Sequence, residues 1–146
     1  MSVPDPDNEN TYLESVIPSD HAAARVPKAL IIKELEDHRF GEREVFAIKL
    51  ALEEALANAV NHGNQGDSTK TVTVRYAVSD EKAAIIVRDE GPGFSPDEVP
   101  DPTHPDRLSI PNGRGIMLIK AYMDVVEYRD QGREVYFVKS RDKGCC

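Results

Sequence analysis

The chain has 146 residues, 40% of them hydrophobic, and a formal net charge of −8 at pH 7. That length suits a single domain with a real core, and the acidic balance argues against direct nucleic-acid binding, which needs clustered Lys and Arg. No apolar run approaches the roughly 20 residues of a membrane helix, and the N-terminus lacks the basic-then-apolar pattern of a secretory signal.

Residues 1–10, MSVPDPDNEN, are polar and broken by proline, which predicts a disordered acidic tail. Five acids (Asp5, Asp7, Glu9, Glu14, Asp20) and no Lys or Arg fall in the first twenty positions, so the overall acidity is partly a tail effect. Thr11 to Ile17 reads as a first strand ending at Pro18. Ser19 or Asp20 can cap a helix from about His21 to Asp37. Its expected apolar stripe is Ala22, Val26, Ala29, Leu30 and Ile32.

Gly41 ends that connection, and a longer helix begins near Glu42. Over VFAIKLALEEALANAVNHG (45–63), about 100° per residue puts Val45, Ile48, Leu52, Ala55, Leu56 and Ala59 on one face. Glu54, Asn58 and Asn61 fall opposite, flanked by Ala47, Ala51 and Ala57. Asn is a poor interior helix residue. A carboxylate and an amide oxygen at i, i+4 beside small side chains suit a hydrated cation or a polar ligand; the plain alternative is a solvated face with accidental spacing. Gly63 is a natural stop.

NQGDSTK (64–70) is turn chemistry. Thr71 to Val78 alternates and Ala83 to Val87 is apolar, which predicts an antiparallel hairpin with one face buried. Asp89 to Asn112 carries six prolines and few large apolar residues, the composition of a functional loop or lid. Gly115 to Tyr122 reads as a short helix, and 124–129 and 134–139 as a last hairpin around Asp130-Gln131-Gly132. Residues 141–146 are read as a disordered tail. Its adjacent Cys145 and Cys146 fit neither a disulfide nor a metal site, and a reducing cytoplasm is the expected compartment. The fold class is α+β, a two-layer α/β sandwich with a mixed, largely antiparallel sheet and helices on one face.

Two further stretches carry chemistry. Asp89-Glu90-Gly91-Pro92-Gly93-Phe94 follows a buried strand; its glycines allow a close backbone approach, and an ionised Asp there can accept from an exocyclic amine. A plain Gly-Pro turn is the competing reading. Asn112-Gly113-Arg114-Gly115 leads into a helix, where exposed N–H groups and the helix dipole favour phosphate. GxSxG, the P-loop and the GxGxxG of the usual protein kinases are all missing, and His21, His38, His62 and His104 have no metal-ligand spacing.

Together these stretches resemble the GHKL ATPase superfamily. Glu54 and Asn58, continuing as NAVNHG, are similar to its N box, DEGPG (89–93) to its DxGxG box, and GRG (113–115) to its second glycine box. The likeness spans roughly residues 11–140. The size and the segment GRGIMLIKAYMDVVEY further resemble small bacterial anti-sigma-factor serine/threonine kinases of partner-switching systems. The resemblance implies the Bergerat ATP-binding fold with ATP and Mg²⁺ as cofactors. It implies Glu54 as general base, Asn58 as Mg²⁺ ligand, and Asp89 on the adenine amine. Gly91 and Gly93 would shape the pocket, His62 and Ile116 would lie in the nucleotide site, and Gly113, Arg114 and Gly115 would hold phosphate. Implied partners are a sigma factor and a STAS-domain anti-anti-sigma protein, with a homodimer left open and no membrane. A non-kinase module that switches a partner by nucleotide-dependent binding is the alternative; the retained Glu54 favours the kinase. Ile110-Pro111-Asn112 stands where a charged residue is common before the second glycine box, and Asn61 where an apolar residue is common.

Overall fold

The computed structural model describes residues 4–64, 67, 69–91 and 119–141, with only the backbone of His62 and Gly63. The elements are β1 (Leu13–Pro18), α1 (Arg25–Asp37), α2 (Glu42–Asn58), β2 (Thr71–Val78), β3 (Lys82–Arg88), β4 (Val125–Arg129) and β5 (Glu134–Ser140). The five strands form one sheet in the order β1-β2-β3-β5-β4. Every pairing among them is antiparallel. The two hairpins expected from the strand runs are both present, and β5 enters between β3 and β4. The result is the expected α+β sandwich.

The main core lies between the sheet and the two helices. Ile31 and Leu35 of α1 and Ile48 and Leu52 of α2 pack with Val72, Val74, Ile85 and Phe137, all fully enclosed. On α1 the buried residues are Pro27, Ile31 and Leu35, whereas Val26 and Leu30 are largely exposed. The expected stripe was thus about one residue out of phase. The helix starts at Arg25 rather than His21, and the preceding turn is closed by the Ala22 N–H donating to Asp20 Oδ1 at 2.8 Å. Pro27 fits in the first helical turn, where its missing N–H would have no intrahelical partner. The stripe of α2 lies as expected, but Ala47 and Ala51 are buried with it. At the start of α2, Gly41 N–H donates to Glu44 Oε1 at 2.6 Å. A Cβ on Gly41 would sit 2.8 Å from that same oxygen, so only glycine accommodates the contact without movement.

The other sheet face is covered too, which the composition of residues 1–10 did not predict. Residues 4–12 form a strap over it. A short 3₁₀ turn (Glu9–Thr11) leads to Tyr12, which is buried in a second cluster with Ala77, Ala84, Ile86 and Val138. Tyr12 donates through its hydroxyl to Pro6 O at 2.6 Å, Arg75 donates to Glu9 O at 2.6 Å, and Asp7 pairs with Lys82. Glu9 also reaches Arg129 on the far strand β4 at 3.0 Å. Two of the acids in the tail, Asp7 and Glu9, are therefore paired with cations on the sheet. Covering both faces explains why β3 is apolar from Ala83 to Val87 without alternation.

Candidate functional site

The site starts from α2. Glu54 and Asn58 are one helical turn apart and both half-buried. They flank the buried Ala47 and Ala51, so they border the core stripe rather than stand opposite it. Beyond Asn58 the helix widens into a π turn, Ala59–Gly63, a feature frequent at functional sites. The wide turn brings Asn61 to His21, whose Nε2 lies 2.9 Å from Asn61 Oδ1. That contact gives Asn61 the structural role the sequence left blank. It also ties the turn before α1 to the end of α2. His38 sits beside Asp80, 2.7 Å away, and serves the surface rather than the site.

The π turn delivers Asn64, which is completely buried. Its Nδ2 donates to Thr71 O at 3.0 Å and its Oδ1 accepts from Glu90 N–H at 2.8 Å. Asn64 thus joins the end of α2, the start of β2 and the turn after β3 in one side chain. Glu90 reinforces the joint, accepting from the N–H of Thr71 at 2.7 Å and from its hydroxyl. The Thr71 hydroxyl and N–H hold the Glu90 carboxyl below its usual range. In the sequence Asn64 looked like ordinary turn chemistry, and nothing in a lone Asn foretells two long-range bonds.

Asp89 lies at the end of β3, only 8% exposed. Burial raises its carboxyl above the ordinary carboxylate range, opposed first by the hydrogen bond from Gly91 and then by Arg133, Arg88 and Lys70. Its Oδ1 accepts from Gly91 N–H at 2.8 Å. Its second oxygen takes no hydrogen bond among the described residues. A buried carboxylate with a spare acceptor fits the exocyclic amine of adenine, because such a donor would offset its desolvation. Arg133, just before β5, supports the same turn: its Nε donates to Gly91 O at 2.7 Å and its carbonyl accepts from Asp89 N–H at 2.9 Å. Nothing in the local sequence marks Arg133 beyond its place at a hairpin tip.

The structure therefore connects Asn58, through the π turn and Asn64, to the loop that carries Asp89 and Gly91. Gly93, Gly113, Arg114, Gly115 and Ile116 lie outside the described residues, as does most of the Pro-rich loop, and the side chain of His62 is not described. Among the described residues no three His, Cys, Asp or Glu side chains gather as a metal cluster. Asn58 alone is nonetheless compatible with Mg²⁺, which keeps waters and takes phosphate oxygens alongside one or two protein ligands.

A family model described as "Histidine kinase-like ATPase domain" matches residues 17–139, nearly the whole described fold. The chain belongs to that family. Among curated relatives of this histidine kinase-like ATPase chain is an anti-sigma F factor of Oceanobacillus iheyensis. It is 28% identical over 141 residues, covering 93% of this chain and 94% of the relative. The serine-protein kinase RsbW of Bacillus subtilis is 27% identical over 130 residues, covering 84% of this chain and 81% of that protein. A crystal structure of the RsbU and RsbW domains of a Mycobacterium tuberculosis protein superposes with a TM-score of 0.60 at 18% identity. It covers 89% of this chain, which spans 32% of that longer one. At that identity the likeness speaks for the fold. No described helix is long and apolar enough to cross a membrane.

Proposed function

We propose that this protein is an ATP-dependent protein serine/threonine kinase that acts as an anti-sigma factor. It would phosphorylate a STAS-domain antagonist and hold a sigma factor. The observation that carries this reading is Glu54, half-buried one helical turn before Asn58 on α2. A module that only binds nucleotide has no need of a carboxylate there. The anti-sigma F and RsbW names of relatives matching over four fifths or more of the chain support the same class.

In this reading Asp89 accepts from the adenine amine, and Gly91 with Gly93 lets the backbone approach the base. Gly113, Arg114 and Gly115 would hold phosphate, and His62 and Ile116 would belong to the nucleotide site. Asn58 holds Mg²⁺. Mg·ATP supplies the phosphoryl group that is transferred. Glu54 takes the proton from the substrate serine or threonine hydroxyl, which needs an ionised carboxylate within reach of that hydroxyl. The sigma factor and the STAS-domain protein are the partners, and the reducing cytoplasm is the compartment.

The test is transfer of label from γ-labelled Mg·ATP to proteins of the source cell's soluble extract, comparing the native chain with Glu54→Gln. One small protein labelled on serine or threonine by the native chain alone supports the kinase. ATP binding without any transfer would turn the reading to a nucleotide-dependent switch. A Glu54→Gln chain that transfers label at the native rate removes Glu54 as the base.

A further inference from the structure

The hairpin that joins β4 to β5 has an unusual tip. Asp130 and Gln131 both have positive φ, 51° and 56°, before Gly132 at 83°. Two successive non-glycine residues in the left-handed region are strained and persist only where the surroundings enforce them. What the tip achieves is the placement of the next residue, Arg133. The guanidinium spans the gap between two loops: Nε donates to Gly91 O at 2.7 Å, while Nη1 lies 3.4 Å from both Asp130 O and Gln131 Oε1. The Arg133 backbone carbonyl binds the Asp89 N–H on the same side. The residue therefore grips the Asp89–Gly91 turn twice, once with main chain and once with side chain, from an element 42 positions away.

We propose that Arg133 is the positioning residue of the base-recognition pocket, fixing the Gly91 carbonyl and the Asp89 carboxylate so that Asp89 accepts from the exocyclic amine of adenine. This rests on the reading of Asp89 as the base-recognising group. The cations facing Asp89 are Arg133, Arg88 and Lys70. Arg88 pairs with Asp130 and Glu134 and its side chain makes no bond to the turn among the described residues, whereas Arg133 shares Asp130 through Nη1 at 3.5 Å and also bonds to Gly91 O. Arg133 joins a fixed charge to a directional bond within the same turn. A lysine keeps the charge but cannot reproduce the planar fork that reaches Gly91 and the hairpin tip at once.

The experiment compares the full chain with Arg133→Gln and Arg133→Lys. Calorimetry reads Mg·ATP and Mg·GTP binding, and carbon NMR reads the titration of the Asp89 carboxyl without nucleotide. Arg133→Gln is expected to weaken ATP about tenfold or more, to narrow the ATP-over-GTP preference, and to raise the Asp89 midpoint. Arg133→Lys is expected to leave the midpoint near the native one while recovering only part of the affinity. It carries the test alone if the glutamine variant does not fold. Native ATP affinity and preference in either variant overturns the proposal, as does an Asp89 midpoint unmoved by Arg133→Gln. If the native chain binds no ATP, the nucleotide reading fails, and the titration still decides whether Arg133 governs Asp89.

Discussion

Asn64→Ala tests the joint on which the site hangs. The native side chain is wholly buried and makes two bonds, 3.0 Å to Thr71 O and 2.8 Å from Glu90 N–H. Alanine removes both partners at once and leaves a backbone carbonyl and a backbone N–H to find water. Each orphaned buried group costs about 1–3 kcal/mol. Glu90 is exposed, so its N–H recovers some solvation, and a loss of about 3 kcal/mol is expected in total. For a chain of this size that corresponds to a melting temperature lower by roughly 6–12 °C. Urea unfolding should show the midpoint fall with an unchanged slope. Asn64→Asp retains the acceptor for Glu90 but turns a carboxylate oxygen toward Thr71 O, so it should be no better than alanine. A loss below about 0.5 kcal/mol in Asn64→Ala would mean that the two bonds do not hold the loop.

Asp89→Asn should separate stability from binding. The folded-state carboxyl titrates above its unfolded value, so the folded form binds the proton more tightly, and stability falls as pH rises through the window between them. Asn keeps the bond to Gly91 without the burial penalty of a charge. The variant should therefore melt higher than the native chain near neutrality, lose that advantage as pH falls to about 4, and bind ATP poorly throughout. A variant that melts lower at neutral pH contradicts the desolvation reading. Tyr12→Ala removes the anchor of the strap, buried at 8% exposure over Ala77, Ala84, Ile86 and Val138. A loss of about 3 kcal/mol in urea unfolding is expected, with faster hydrogen exchange in residues 5–12. Native exchange there would show that the strap holds without its tyrosine.

Periodicity made the frame legible. Val72, Val74 and Tyr76 alternate because one face of β2 meets the helices, and the stripe from Ile48 to Ala59 marks the buried side of α2. The phase of α1 was misread because alanines and aliphatic residues ring the helix almost evenly, so no stripe stands out until Ile31 and Leu35 choose one. The strap was invisible for another reason. Composition reports the average solvation of Asp7 and Glu9, whereas their fate depends on Lys82 and Arg129, and that of the Glu9 carbonyl on Arg75, all of which the fold brings from far along the chain. Within the site, Asp89 and Gly91 were legible because a Gly-rich turn after a buried strand is a local pattern. Asn64 and Arg133 were not, since each acts through partners 26 and 42 positions away.

The insertion of β5 between β3 and β4 sets an order on the molecule's own synthesis. During translation β3 emerges early, but its second neighbour is the last of the described strands, and Arg133 arrives just ahead of it. At about 5–20 residues per second the ribosome leaves the Ala83–Val87 edge unpaired for several seconds. An apolar strand edge in that condition is a template for wrong pairing. Until β5 docks, the Asp89–Gly91 turn is tied to Asn64 and, through Glu90, to Thr71, but lacks the grip of Arg133. The turn that carries Asp89 is thus completed only once the last of the described strands is in place.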